Sequence, residues 1–430
     1  MKEFFKKIII KILTWEARLV IRKYKPKLIG ITGSIGKTST KEDLAKLLAT
    51  KYHIRKSAKS YNSEFGVPLT ILNCRSAWNN PLGWLANIWA GLALIIFDDH
   101  YPEWLVLEVG ADRPGDIKNL AKWLTFDIAV VTALPDVPVH IEFFNTKEKV
   151  IEEKLALIKA LGKNGIAVVN LDDNNLRGEL AGIKAKTVTY GFGPEADFRA
   201  GDISFMAKDE TGFPAGMHFD LVHKGKVLPI EVPNILGQHL LYPILAASAV
   251  ASLLKVGPKA IAKELSKNKT FPGRFNPLSG IKDTLILDDT YNSSPAALEA
   301  ALLALGKISA KRRIAVIGDM LELGPHTIDA HRTIGKIASE ICNIIITIGP
   351  RAKFVREAAE ENKFSPESIF SFDDARQAGA SLQSLIKPGD AILVKGSQSM
   401  RMERVVEEIM LHPEDKEFVL VRQEKEWLNK

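Results

Sequence analysis

The stretch Gly30-Ile-Thr-Gly-Ser-Ile-Gly-Lys-Thr-Ser39 constrains this chain more than any other. It follows the apolar pair Leu28-Ile29 and opens a helical pattern running through Leu47-Leu48, the strand, loop and helix order of a phosphate-binding loop. Glycines 30, 33 and 36 let the backbone turn and bring its N–H groups against phosphate oxygens, and the following helix adds the positive end of its dipole. Lys37 can then reach the terminal phosphates, and the hydroxyl of Thr38 or Ser39 can ligate Mg2+. Gly33, Ser34, Gly36, Lys37, Thr38 and Ser39 are therefore the expected contacts for ATP with Mg2+. The spacing is a variant one, since Gly30 comes one residue earlier than in G-x4-G-K-[ST].

At 430 residues the chain has room for about three domains, and 46% hydrophobic residues suffice for their cores. Two distant cysteines, Cys74 and Cys342, support neither a disulfide framework nor a thiolate zinc site, and point to the reducing cytoplasm. The net charge is +7, yet residues 1–27 alone hold nine Lys or Arg against two acids, so the remainder is formally neutral. A general nucleic-acid-binding surface is excluded on that distribution.

Residues 1–27 place Phe4, Phe5, Ile8, Ile9, Ile12, Trp15, Leu19 and Val20 mostly three or four apart, with lysines between. The segment reads as a basic amphipathic helix, which either lies on a membrane surface or packs on the protein's own core. Residues 76–97 carry no charge and include Trp78, Trp84 and Trp89. Their asparagines, Pro81 and Gly83 argue against a bilayer span, leaving an interfacial hairpin or an apolar patch covered by the amphipathic helix. Peripheral contact through 1–27 and 76–97, at the inner face of the membrane, is the expectation.

From Trp104 onward short apolar strands at 104–108, 128–132, 166–170 and 187–191 alternate with helices, and 197–232 reads as antiparallel strands inserted in that domain. Gly237 to Leu254 reads as an apolar helix, and Pro272-Gly273 marks a boundary. Beyond it, strands at 285–288, 313–317, 344–348 and 391–394 alternate with helices as in a smaller doubly wound domain. The expected organisation is α/β throughout. An N-terminal segment, 1–27, precedes a central P-loop ATPase-type domain with a parallel sheet, 28–272, and a C-terminal Rossmann-like domain, 273–430.

Further motifs are Lys59-Ser-Tyr-Asn-Ser-Glu-Phe-Gly-Val-Pro-Leu-Thr70, Glu108-Val-Gly-Ala-Asp-Arg-Pro-Gly115, Asp288-Asp-Thr-Tyr-Asn-Ser-Ser-Pro295, Gly318-Asp-Met-Leu-Glu-Leu-Gly324 and Val394-Lys-Gly-Ser397. In combination, over about residues 28–410, they resemble the Mur ligases, and the Gly318–Gly324 run is similar to the branch that adds D-alanyl-D-alanine. The resemblance implies ATP-driven, ADP-forming amide synthesis in cell-wall precursor assembly. A peptide carboxylate takes the γ-phosphoryl group, and the amine of an amino acid or dipeptide then displaces phosphate.

By the same resemblance Glu108 is a Mg2+ ligand and His140 belongs to a second metal site. Lys154 falls where the family carries a carbamylated lysine, whose anionic oxygens suit Mg2+ as an ammonium does not. Arg274 matches a nucleotide-phosphate contact, and Asp288, Tyr291, Asn292 and Pro295 match the segment that holds the nucleoside. Asn62, Lys395 and Ser397 fall on the substrate side, so Lys37, His140 and Lys154 are the implied catalytic residues. A junction site of this kind implies closure of the two domains before transfer.

The chain departs from the family pattern in places. Leu240 and Pro243 replace two asparagines of an adenine-contacting segment, Thr132-Ala133-Leu134 replaces Thr-Asn-Ile, and Gln398 replaces the arginine after Lys-Gly-Ser. Ahead of the phosphate loop stands a basic, amphipathic segment of about 27 residues where the family has a UDP-gripping domain. The carboxylate substrate is therefore expected to be a small molecule or a lipid-linked peptide. Three readings follow: ligation of D-Ala-D-Ala to a muramoyl peptide, Mur-type ligation on another carrier such as lipid-linked peptidoglycan or polyglutamate, or a membrane-associated nucleotide-binding scaffold without ligase activity.

Overall fold

The computed structural model describes residues 2–58, 61–77, 80–138, 140–424 and 427, with side chains from residue 8 onward. Lys59, Ser60, Trp78 and the side chains of Phe4 and Phe5, singled out above, lie outside the described residues.

Two sheets organise the chain. The first has nine strands: β1 (Lys27–Thr32), β2 (Ile54–Lys56), β3 (Trp104–Glu108), β4 (Phe126–Val131), β5 (Leu161–Asn170), β6 (Lys186–Gly191), β7 (Phe198–Phe205), β8 (Gly216–His223) and β9 (Lys226–Pro233). Their order is β2-β3-β1-β4-β5-β6-β7-β8-β9, parallel from β2 to β7. β7, β8 and β9 form an antiparallel meander that continues this sheet at its edge. The antiparallel strands read from 197–232 are present, and they form the outer third of the main sheet.

β1 is buried from Leu28 to Thr32, as a central parallel strand covered on both faces must be. One face packs on helix α2 (Lys37–Ala49) and helix Leu241–Leu253 through Leu44, Leu47, Leu48, Ile244 and Leu245. The other packs on helix Lys147–Lys159 and, further out, on α1 (Lys2–Tyr24), α3 (Gly66–Ile71) and α4 (Pro81–Ile96). The described residues of 76–97 hold one helix, α4, rather than a hairpin. Asn80 caps it, its Oδ1 accepting from the N–H groups of Leu82 and Gly83 at 3.1 and 3.2 Å. No helix among the described residues is long and apolar enough to cross a membrane.

The second sheet has β10 (Asn276–Gly280), β11 (Thr284–Asp289), β12 (Arg312–Gly318), β13 (Ile344–Ile348), β14 (Ile369–Phe372) and β15 (Asp390–Lys395), in the order β10-β11-β15-β12-β13-β14. All pairs are parallel except β10 with β11. In both sheets the strand order doubles back, beside β1 in the first and beside β15 in the second. Crevices at the carboxyl ends of strands open at such places.

Candidate active site

The phosphate loop leaves the carboxyl end of β1 and is held against the end of β4. Ser34 N donates to Ala133 O at 2.7 Å, and Thr132 Oγ1 donates to Ile35 O at 2.6 Å. Gly33 has φ +140°, and a Cβ there would fall 2.0 Å from Thr132 Oγ1, so only glycine fits. Gly36, at φ +85°, turns the chain into α2.

A cavity of about 570 Å3 lies over this loop, between the two sheets. Of the residues singled out from the sequence, Ser34, Gly36, Lys37, Thr38, Ser39, Asn62, Glu108, His140, Lys154, Arg274, Tyr291, Asn292 and Lys395 line it. Gly33, Asp288, Pro295 and Ser397 do not. Gly33 contributes structure through its carbonyl, as set out below. Asp288 is buried, its Oδ2 accepting from Gly273 N at 2.9 Å and its Oδ1 from Thr290 Oγ1 at 2.6 Å, so it fixes the turn that presents Arg274. Burial raises its carboxyl to about 6. Pro295 begins helix Pro295–Lys307, and Ser397 Oγ accepts from Leu321 N at 2.9 Å. The neighbouring Asp289, Ser293 and Ser294 face the cavity instead.

Cations gather at the loop. Lys37 Nζ and Lys154 Nζ both donate to Gly33 O, at 2.8 and 3.1 Å. Burial, then the neighbouring Lys37 charge, lowers the Lys154 amine to about 7, and burial lowers Lys37 as well. The Arg274 guanidinium lies 3.8 Å from the centre of the Tyr291 ring and donates to Thr38 Oγ1 at 3.4 Å, bringing a residue from beside the second sheet onto the phosphate loop. Lys395, at the end of β15, pairs with Asp289 at 2.7 Å and donates to Asn292 O at 2.8 Å.

Glu108, at the end of β3, accepts from Thr38 Oγ1 at 3.2 Å, and its Oε2 stands 3.5 Å from the buried Lys41 ammonium. Lys41 was not singled out from the sequence; its position one helical turn after Lys37 is the signal that could have found it. Among the described residues Ser34 Oγ and Ser293 Oγ are buried in the cavity wall without hydrogen-bond partners, and Glu108 Oε2 there has the Lys41 ammonium beside it but accepts no hydrogen bond. Orphaned oxygens cost stability unless a ligand or ion meets them. Among the described residues no three His, Cys, Asp or Glu side chains form a metal cage. One carboxylate and one hydroxyl beside a phosphate loop fit Mg2+, which keeps most of its waters and shares substrate phosphates.

His140, at φ +68°, sits between two carboxylates: Nε2 is 3.4 Å from Asp112 and Nδ1 is 2.5 Å from Glu322. Glu322 belongs to the Gly318–Gly324 run after β12, so this contact joins the two sheets. The histidine holds the Glu322 carboxyl below its ordinary range. Next to Leu240, half-buried His239 meets Phe275 edge to face at 5.1 Å, and desolvation lowers its imidazole to about 4. Nearby, Tyr242 packs on Phe192 and donates to Asp172 at 3.1 Å.

Comparison with known proteins agrees with this geometry. Residues 86–251 match the Mur ligase middle domain and residues 273–398 the Mur ligase glutamate ligase domain. The UDP-N-acetylmuramoyl-tripeptide–D-alanyl-D-alanine ligase of Bacillus subtilis is 27% identical over 92% of this chain and 79% of its own length. That of Rickettsia prowazekii is 28% identical over 89% of this chain and 78% of its own. The crystal structure of MurF ligase from Thermotoga maritima in complex with ADP superposes with a TM-score of 0.75 at 28% identity, covering 93% of this chain and 83% of that one.

Proposed function

Because the chain belongs to the Mur ligase family, we propose that it is an ATP-dependent, ADP-forming amide ligase of cell-wall precursor synthesis that joins D-Ala-D-Ala to the carboxylate of a muramoyl peptide. The observation that carries the reading is the single cavity in which Lys37, Thr38, Glu108 and Lys154 of the first sheet meet Arg274 and Lys395 of the second. An ATP phosphate chain on the loop faces cations from both sides, as phosphoryl transfer demands.

In the first step a carboxylate oxygen attacks the γ-phosphorus, the bond to the β-phosphate oxygen breaks, and ADP leaves with the electron pair. In the second, the dipeptide amine attacks the acyl carbon, phosphate leaves with the bridging oxygen, and the amine loses a proton. Lys37 exchanges its bond to Gly33 O for phosphate oxygens, and Arg274 neutralises the same group from the far side. Mg2+ held by Thr38 and Glu108 would spread phosphoryl charge. Lys154, once carbamylated, presents anionic oxygens beside Lys37, where an ammonium would repel a second cation. Asn62, whose carbonyl accepts from Gly110 N at 2.6 Å, and Lys395 border the space left for the two peptide substrates.

The carboxylate substrate is a muramoyl peptide on a soluble or lipid carrier, and the use of ATP sets the reaction in the cytoplasm. Phosphate release with a panel of carboxylates and amines tests this. UDP-linked muramoyl tripeptide with D-Ala-D-Ala is expected to give the highest kcat/KM. Preference for a polyglutamate or a lipid-linked peptide would assign the other carrier, and phosphate release indifferent to both partners would overturn ligation.

A further inference from the structure

The outer surface of the α1 and α4 pair has no role in the chemistry above. α4 leans on the body through Trp84 and Gly91, with Ile88, Leu94 and Ile95 partly covered, and turns Leu82, Leu85, Ala86, Trp89, Ala90, Ala93 and Ile96 outward. Trp89 is 70% exposed, and Phe97 just beyond the helix 68%. Residues 76–97 contain no charge, so this exposed face has neither cation nor carboxylate along its length. Contiguous apolar surface of that kind marks a binding face.

α1 lies alongside in parallel. The Glu16 carboxylate abuts Gly91, and one and a half to two turns later Lys23 Nζ donates to Leu94, Ile95 and Phe97 carbonyls at 3.3, 3.2 and 2.6 Å, closing the end of α4. Leu13, Ala17 and Val20 turn inward. The outward stripe is Ile8, Lys11, Trp15, Arg18 and Arg22, one residue per turn beside the apolar ridge.

We propose that the paired outer faces of α1 and α4 form a docking surface for an anionic lipid bilayer. An uncharged ridge carrying Trp89, edged by a row of cations carrying Trp15, is the arrangement that sinks shallowly into the headgroup boundary while its charges meet lipid phosphates. α4 has 16 residues, short of the roughly 20 that cross a hydrocarbon core, so the surface lies on the membrane and does not span it. A second copy is disfavoured, because the uncharged ridge of residues 81–97 offers no carboxylate to meet a partner's Lys11, Arg18 and Arg22 row. The inference stands apart from the ligase reading, since none of these residues borders the cavity.

Flotation of the full chain with phosphatidylglycerol–phosphatidylcholine vesicles, and with phosphatidylcholine alone, tests it. The anionic vesicles are expected to carry the protein at low salt and to release it at about 0.5 M salt. Leu85→Ser with Trp89→Ser should weaken binding more than tenfold, and Lys11→Glu or Arg22→Glu about fivefold or more each. Phosphate release by these variants should match the parent and show that they fold. No flotation on anionic vesicles at low salt, or equal flotation by the Leu85/Trp89 variant, overturns the proposal. So does a dimer by light scattering, without lipid, that the same variant abolishes.

Discussion

Lys37 and Lys154 donate to one and the same carbonyl, that of Gly33, from opposite sides of the phosphate loop. Two ammonium groups on one oxygen in a buried site cannot both keep full charge cheaply, and Lys154 is the one pushed down to about 7. Its neutral form would be the nucleophile that adds carbon dioxide with loss of a proton, and the resulting carbamate would turn repulsion by Lys37 into attraction. Lys154→Ala is expected to be inactive and partly restored by acetate or another short carboxylate. In the unaltered protein, labelled bicarbonate should give a carbamate carbon signal by NMR that Lys154→Ala lacks.

Lys37→Ala and Glu108→Ala should each lower kcat by at least two orders of magnitude, because removing one preorganised charge from a transferring phosphoryl group costs about 3 kcal/mol or more. Phosphate release checks the loss, and an unchanged melting temperature shows the fold intact. Turnover within tenfold of the parent in either variant would remove that residue from the phosphate site.

The contact of His140 with Glu322 is a latch between the two sheets. Glu322→Ala should reduce kcat about tenfold, with little effect on melting, since the latch favours the closed arrangement without touching the nucleotide. Small-angle scattering with ADP and Mg2+ should show a larger radius of gyration for the variant than for the parent.

Glu16 supplies a pH dependence independent of catalysis. Among the described residues both its oxygens are buried against α4 without hydrogen-bond partners, and burial raises its carboxyl from the ordinary 4.5 to about 7. The folded state therefore binds this proton more tightly than the unfolded state. The stabilisation is full below pH 4.5, falls as pH rises, and is gone above pH 7. Glu16→Gln, which cannot ionise, should be more stable than the parent at pH 8 by about 2 kcal/mol and nearly equal to it at pH 4.5. Denaturant melts at the two pH values measure this.

The parts legible in the sequence were those with a local chemical signature. Gly33, Gly36 and Lys37 announce a loop because only glycine tolerates the close approach to Thr132 and the turn into α2. Largely apolar parallel strands such as β1, β4 and β13 announce burial on both faces. Short or edge strands carry no such mark: β2 has three half-buried residues, and β10 includes Pro277 and is buried only at its two ends, so neither is legible in the sequence. Side-chain direction was also invisible. Asp288 and Asp289 are adjacent in one motif, and the pleat turns the first to the Gly273 turn and the second to the cavity. Tertiary contacts to Glu108 and His140 bring Lys41 and Asp112 to the site.

The most direct measurement follows oxygen from the carboxylate substrate. With both carboxyl oxygens labelled with heavy oxygen, turnover with ATP and D-Ala-D-Ala should place one labelled oxygen in each released phosphate, because the acyl phosphate retains the attacking oxygen as its bridge. Mass spectrometry of the phosphate, alongside stoichiometric ADP and amide product, reads this out. Unlabelled phosphate would mean that water takes the γ-phosphoryl group, and would contradict an acyl-phosphate ligase.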